Sequence, residues 1–599
     1  MSIKEIISKN NVKKILNLLF AILSVGGIAY YLIIGSTGYR ANNLIYIPFL
    51  YIYYKLYVKI NYKEKKFVYS TILSVITSTI MILGVQLERC NDIFWTLSTL
   101  VKIVMLMFAF IPIYNNLISL LDRISNRPVS SELELSKKNK LIIFGTLLFF
   151  GILGFLALYP GLYGYDAGYE IMQMQYEDVT ITTHFSVIYS YFLYWFVNLG
   201  NTIFNSYTIG FAMYSFVQMF IMTFVAAKIC IFVHKVSHNK KLLILSTIFF
   251  CVFPLHIIMM VSAAQDTLFC GLIALVLIEI YNLAMDTENF WHKIINPIKF
   301  VILALLLCVV RNNGLYILLV PAVLTIFFVK KYKFRSIALY AIAIALFFVY
   351  KGPILKKMNV VEVDTIREMS SVPCQQIARS YIYKNEVYSE DEKALIEKVF
   401  AYRQGELFEY YTVNQSISDS VKATMNETFV KENSSEVIKL YVDNLIEDSE
   451  NYVEGFLFNS LGFWYPDKTY PDYRIYHPYI EYDMLEAKTY NERYIEIERN
   501  SKIPLYDKAL NLIVGKNYWN NIPVVSSIFT CGTYFLLLVF AFFYVIYKKK
   551  IRLLYVLSLL FAYYLTLLLS PVCIFRYCYA LVLCAPIIIA ALISKDEQH

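Results

Sequence analysis

The stretch Phe185-Ser-Val-Ile-Tyr-Ser-Tyr-Phe-Leu-Tyr-Trp-Phe-Val-Asn-Leu199 is apolar, short and crowded with aromatic rings. Whether it crosses a bilayer decides the orientation of everything after it. A membrane-crossing helix needs about 20 apolar residues, and roughly fourteen other stretches offer this. They lie near 15–35, 43–59, 67–86, 94–120, 140–158, 207–232, 241–260, 267–285, 294–310, 314–329, 335–350, 523–546, 551–570 and 577–594. The early loops 59–66 and 122–140 are basic. By the positive-inside bias they are cytoplasmic, as is the N-terminus, and 159–184 then falls outside. If 185–199 does not cross, the loops 234–241, 286–293, 330–335 and 547–552 and the C-terminal tail are all inside. They carry thirteen Lys and Arg, against Arg311 and Arg576 in the opposite short loops. If it crosses, every one of these inverts against the bias. The stretch therefore reads as an interfacial or re-entrant helix on the outer face, where Tyr and Trp gather.

Composition agrees with a polytopic α-helical membrane protein. Hydrophobic residues make up 58% of 599 positions, and mean hydropathy is +0.53. The first apolar run, 15–34, has no small-residue cleavage site after it and reads as a retained span. The ten cysteines are scattered, mostly within spans, and only Cys374 lies in the long polar segment. This gives neither a disulfide framework nor a CxxC metal pattern. The net charge of +9 sits in short loops, which reads as topology and excludes nucleic-acid binding.

Four regions follow. Residues 1–139 form a four-span accessory bundle, and 140–351 form a transmembrane core with an outer loop at 159–206. Residues 352–522 are soluble in composition and form one large extracellular, mainly helical domain. Residues 523–599 form a C-terminal three-span bundle. Helical periodicity is plain at 391–402 and 434–448. The aromatic clusters Phe463-Trp-Tyr-Pro466 and Tyr470-Pro-Asp-Tyr-Arg-Ile-Tyr-His477 read as turns and packing surfaces.

The polar residues that a bilayer does not explain gather on the outer side. Asp166 sits in Gly161-Leu-Tyr-Gly-Tyr-Asp-Ala-Gly168, where glycines allow a backbone path close to a ligand. A carboxylate at a bilayer edge with apolar walls can be tuned as a base, or it can simply cap the helix that follows. Glu170, one turn on, could share the site, whereas Glu177 and Asp178 read as solvated. His184 could bind a phosphate or orient a carboxylate, or serve as a polar anchor. Asp266 opens a span, where the helix macrodipole already favours an acid. Arg311, with Asn312 and Asn313, and Arg576, beside Tyr577, break the charge bias. Arginine offers a planar fork for phosphate, so the pair suggests an anionic substrate. The alternatives are anchoring to lipid phosphate and pairing with Asp166 or Asp266. His234, His238 and His292 read as cytoplasmic loop residues, and Glu279 and Lys102 as structural charges within spans.

Taken together, several motifs resemble a family of bacterial multi-spanning proteins similar to the GT-C glycosyltransferases, distant kin of the protein O-mannosyltransferases and the aminoarabinose transferases of lipid A. These are Tyr159-Pro-Gly161, Asp166 in the first core outer loop, a His before an aromatic interfacial helix, Asp266 starting a span, and Arg311-Asn-Asn-Gly-Leu-Tyr316. Ser371-Val-Pro-Cys-Gln-Gln-Ile-Ala-Arg379, Ile417-Ser-Asp-Ser-Val-Lys422, Gly462-Phe-Trp-Tyr-Pro-Asp467 and Phe575-Arg-Tyr577 extend the likeness over roughly 140–590. The resemblance implies a GT-C-like fold and transfer of a sugar from a polyprenyl-phosphate carrier to a cell-envelope acceptor (polysaccharide, teichoic acid, lipid or protein) on the outer face of the bacterial plasma membrane. It implies Asp166 as general base, with Asp266 as a second acid. It names no cofactor, and no ligand spacing supports a divalent metal. Two departures stand out: Phe185 rather than Pro follows His184, and Gln265 rather than Lys precedes Asp266. Phosphate binding then rests on Arg311 or Arg576. Competing classes are a flippase or transporter for lipid-linked glycans, which would need mid-span polar residues and broken helices in paired repeats, and a non-catalytic envelope assembly factor.

Overall fold

The computed structural model describes residues 9–34, 44–126, 135–363, 366–400, 411, 417–467, 491–514 and 525–595. The expected aromatic cluster 470–477 lies outside these residues. In a bilayer every backbone N–H and C=O must be bonded within the chain, and a helix does this locally. The apolar runs are accordingly helical throughout: α1 (Lys9–Ile33), α2 (Tyr46–Val58), α3 (Lys65–Cys90), α4 (Leu97–Ser125) and α5 (Lys137–Ala157), then, past the polar loop, α6 (Tyr165–Gln175) and α7 (Val187–Phe204). The chain continues through α8 (Tyr207–Ser237), α9 (Lys240–Val252), α10 (Pro254–Val261), α11 (Gln265–Met285), α12 (Thr287–His292), α13 (Ile295–Val310), α14 (Asn313–Phe328) and α15 (Lys333–Val349). Breaks between them carry local capping chemistry. Ser136, Ser186, Ser206 and Asn239 each accept a backbone N–H of the first turn that follows.

Among the described residues, eight helices are long and apolar enough to cross a membrane, or nine if α9 and α10, bent by 58° at Phe253-Pro254, count as one span. All fourteen expected runs fall on helices. However, α13, α14 and two C-terminal helices are shorter apolar helices of 10–17 residues, and α2 has 13 residues. The Arg311-Asn312 turn is what divides α13 from α14. Helix α7 is not among the eight. It packs as a hairpin on α8, and a Cβ on Gly200 would lie 2.2 Å from the Gly210 backbone, so the two helices touch main chain to main chain.

The boundary expected at 351 falls inside a helix. α15 continues through a wide turn at Tyr350–Ile354 to Lys357. The polar segment then forms α16 (Ser371–Tyr383), α17 (Glu390–Val399), α18 (Ser434–Glu447), α19 (Ser449–Asn459) and α20 (Leu461–Trp464), and later α21 (Pro504–Val514). Cys374, Ile377, Ile396, Val399, Leu440 and Tyr452 give it a core of its own. The chain closes with α22 (Cys531–Lys548), α23 (Arg552–Leu567) and α24 (Phe575–Ile593). α24 is rich in Ala and Cys, so neighbours pack closely on every side, and it is buried along nearly its whole length. It is the central helix, and its first turn carries Arg576.

The N-terminal helices are more than an appendage. Leu461, Trp464 and Tyr465 share a core with α1, α3 and α4. The Tyr465 ring packs on Gly84, and its hydroxyl is 2.7 Å from that of Tyr31.

Candidate functional site

The Asp166 loop is fixed from below. Leu162 N–H donates to Val261 O (2.9 Å), and Ala263 N–H donates to Leu162 O (2.8 Å). This two-bond bridge lays the Asp166 loop beside the turn that opens α11 at Asp266. Gly161 makes the approach possible. Its φ of +128° belongs to glycine, and a Cβ there would lie 2.1 Å from Ser215 Oγ. Gln218 holds the same turn from the core, donating through Nε2 to Met260 O (3.1 Å) and Ser262 O (2.7 Å). Gln265, where the resemblance leads one to expect Lys, accepts the Ser186 N–H (3.3 Å), while Ser186 Oγ donates to Val309 O (3.0 Å). These bonds join the His184 loop to the ends of α11 and α13.

Four charged side chains from four distant parts of the sequence meet here. Arg576 donates through Nη2 to Asp166 Oδ2 (3.0 Å), and its Nε lies 3.5 Å from Asp266 Oδ2. Arg311 pairs with the other oxygen of Asp266. Asp266 and Arg576 are almost closed to solvent, at 5% and 6% side-chain exposure, whereas Asp166 and Arg311 are at 22% and 26%. Tyr577 supplies a ring face to both guanidiniums, at 5.1 Å from Arg311 and 5.2 Å from Arg576. The backbone O of Tyr577 accepts the Tyr563 hydroxyl. Two arginines and two carboxylates satisfy one another, as charges removed from water must.

Glu170 lies behind this cluster, 1% exposed, and its Oε2 has no hydrogen-bond partner. Burial first, then the charge of Asp166, push its carboxyl well above the usual range, and Arg576 offsets this only in part. Near it, Tyr189 OH and Tyr214 OH are 2.5 Å apart, and Tyr214 donates to Gln218 Oε1 (2.5 Å). A buried polar chain thus runs from behind the site to the turn that carries Asp266. Sequence reasoning missed it, because its tyrosines sit in stretches already rich in aromatics.

An open cavity of about 440 Å³ lies in front, lined by Asp166, Tyr169, His184, Phe185, Val363 and Tyr494 among others. His184 is exposed on its wall, edge-on to Phe185. Asn312 is exposed and Asn313 half-buried. They form the turn that holds Arg311, and their side chains show no bond to the acids. The polar segment reaches the cavity twice. Val361 N–H donates to Ile181 O (2.9 Å), and Thr183 N–H to Val361 O (3.0 Å). The strap 491–502 then covers the loop, with Tyr494 against Gly168, Arg493 on Asp178 (2.6 Å) and Asn500 N–H donating to Tyr159 O (3.0 Å). Asp178, expected to be solvated, is therefore half of an exposed clasp. Among the described residues no group of three or more His, Cys, Asp or Glu is placed to hold a metal ion.

The fold and this cluster define a helical membrane protein with a charged, partly enclosed site at one end of its bundle. The chain belongs to a family of unknown function (DUF6020), whose model matches residues 174–599. The match takes in His184, Asp266, Arg311, Asn312, Asn313, Arg576 and Tyr577, and begins past Asp166 and Glu170. No curated protein and no solved structure matches the chain.

Proposed function

We propose that the protein is a membrane glycosyltransferase of GT-C type, moving a sugar from a polyprenyl-phosphate carrier to a cell-envelope acceptor on the outer face of the bacterial plasma membrane. The observation that carries this reading is the convergence of Asp166, Asp266, Arg311 and Arg576 beside one cavity. The acceptor hydroxyl oxygen attacks the anomeric carbon. The bond from that carbon to the carrier phosphate breaks, and the phosphate leaves with the electron pair. The proton passes to Asp166, whose Oδ1 is not engaged by Arg576. Arg576 and Arg311 bind the phosphate and offset the charge that builds on it. Tyr577 holds both guanidiniums, His184 lines the acceptor side, and Asp266 orients the two arginines. In this topology the shorter helices α13, α14, α22 and α23 cross in pairs with α2 and the longer spans, giving about fourteen crossings, with α7 interfacial and both termini cytoplasmic. The 352–522 segment covers the site and selects the acceptor.

A transporter would share the broken helix α9–α10, but among the described residues that bend is single, whereas transporters of lipid-linked substrates are built on paired breaks. The test is complementation of a deletion strain of the source bacterium. Envelope glycans are compared by mass spectrometry after restoring the wild-type chain or Asp166→Asn at equal membrane abundance. The deletion should lose a sugar substituent that only the wild type restores. Restoration by Asp166→Asn would sink the role given to Asp166.

A further inference from the structure

The opposite end of the bundle carries a second group of charges that the reaction does not use. Helices α5, α8, α11 and α13 are successive neighbours, α5 on α8, α8 on α11 and α11 on α13. The site is at the end of α5 and α13 and at the start of α11. Lys140 near the start of α5, Glu279 near the end of α11 and Lys299 near the start of α13 therefore lie at the far end. Lys228 of α8 lies within electrostatic reach of all three. Glu279 is buried and bonds Lys299 at 2.6 Å, leaving the Lys299 side chain half-exposed. Among the described residues neither Lys140 nor Lys228 has a carboxylate partner, so two positive charges are in excess.

The level of these charges fits a membrane interface. At about 1.5 Å per residue, the 31 residues of α8 span roughly 46 Å, well beyond the ~30 Å hydrocarbon core. With the excess shared between its two ends, Lys228, about 13 Å short of the end of α8, falls near the edge of the hydrocarbon, from where a lysine stem reaches the headgroups. Towards the bilayer centre the same helix shows Phe224, Phe220 and Phe216, one turn apart and each 42–45% exposed. The Lys228 ammonium lies 5.0 Å from the Phe224 ring centre. Phe144 of α5 meets Phe220 edge-on, and beside it Gly145 opens onto empty space. A cationic rim thus sits over an apolar, aromatic-lined furrow.

We propose that this face binds one anionic glycerophospholipid, with its phosphodiester among Lys140, Lys228 and Lys299 and an acyl chain along Phe224, Phe220 and Phe216. Ammonium groups at the membrane surface attract phosphate, and the aromatic furrow supplies the contact that a free anion cannot use. The test takes the full chain in detergent and titrates dioctanoyl phosphatidylglycerol, dioctanoyl phosphatidylcholine and inorganic phosphate. Bound lipid is counted by native mass spectrometry and stability is followed by thermal melting. Phosphatidylglycerol should bind saturably at one copy and raise the melting midpoint. Lys228→Gln and Lys140→Gln should each weaken it about fivefold, and Lys228→Arg should not. Lys299 is left intact because its loss strands Glu279. Because binding is counted directly, a variant that melts early still reports. Equal response to phosphatidylcholine, an equal shift from inorganic phosphate, or unchanged binding in both glutamine variants would overturn the proposal.

Discussion

Glu454→Gln tests how the polar domain is held on the membrane body. Glu454 on α19 and Arg379 on α16 form an ion pair in which both side chains are 1% exposed. Glu454 Oε1 also accepts Trp95 Nε1–H (3.0 Å) and Ile93 N–H (3.3 Å), and Arg379 Nη2 donates to Asn91 O (3.0 Å). The pair therefore clamps the polar domain to the turn between α3 and α4. Glutamine keeps an oxygen for Trp95 and Ile93 and removes only the charge. Stranding one member of a buried pair costs about 3–5 kcal/mol. Asp92, 3.9 Å from Arg379 but 53% exposed, compensates weakly, so the lower end, about 3 kcal/mol, applies. That corresponds to roughly a hundredfold in an opening equilibrium. Amide hydrogen exchange reads it directly: protection along 449–459 should fall by about that factor, because exchange there follows local opening. Removing the stranded cation as well, Arg379→Met with Glu454→Gln, keeps the oxygen for Trp95 and Ile93 and should recover most of the loss. Glu288→Gln, which breaks an exposed pair with Lys331, should leave exchange unchanged. If Glu454→Gln leaves protection at 449–459 as it is in the wild type, the clamp does not hold the domain.

Three other outcomes are expected. Burial and Asp166 raise the Glu170 carboxyl in the folded chain, so the folded state holds that proton more tightly than the unfolded one, and stability is lost as pH rises from about 4.3. Glu170→Gln should therefore match the wild type in melting near pH 4 and gain on it steadily towards pH 8; a gap that does not change with pH refutes this. Gly161→Ala adds a Cβ 2.1 Å from Ser215 Oγ at a φ of +128° and should cost about 1–3 kcal/mol. Adding Ser215→Ala should not restore the melting midpoint, because the backbone strain stays. Finally, Asp166→Asn should bind farnesyl phosphate more tightly than the wild type in equilibrium dialysis, since the Asp166 carboxylate no longer competes for Arg576; equal or weaker binding counts against that competition.

Much of the membrane body could be read in advance because hydrocarbon permits so few backbones. The run near 207–232 is the body of α8, and the run near 577–594 is α24 less its first turn. Arg311 and Arg576 stood out because they broke a charge bias, and it is their pairing with Asp266 and Asp166 that builds the site. Periodicity also placed Glu170 one turn beyond Asp166 on the same helix face. It could not show that Glu170 would be sealed off, because that depends on α7 and α8 folding back over it. Burial within the bundle was equally hidden: α24 is no more apolar than α14, yet one is central and the other peripheral. Arg379 and Glu454 lie in a segment of soluble composition, where no pattern marks them as a buried pair; their burial comes with the docking of that segment onto the turn that carries Trp95.

The charges at the site also order its events. With Glu170 protonated, Asp166 and Asp266 balance Arg311 and Arg576, and no cation is in excess. A phosphodiester can enter such a cluster only by taking a guanidinium from a carboxylate. Asp266 is the poor candidate for displacement, since it is 5% exposed and held by both arginines. Asp166 is more exposed, lines the cavity, and is tied through one oxygen to Arg576 alone. In the proposed reaction the donor phosphate would therefore displace Asp166, and the same exchange would raise its basicity by removing the neighbouring positive charge. Glu170 strengthens the effect. Were it ionised, it would hold Arg576 against the incoming phosphate; burial favours its neutral form, which would leave the arginine free to move. The base would then become competent only once the donor is seated, which protects the carrier-linked sugar from water until an acceptor hydroxyl arrives.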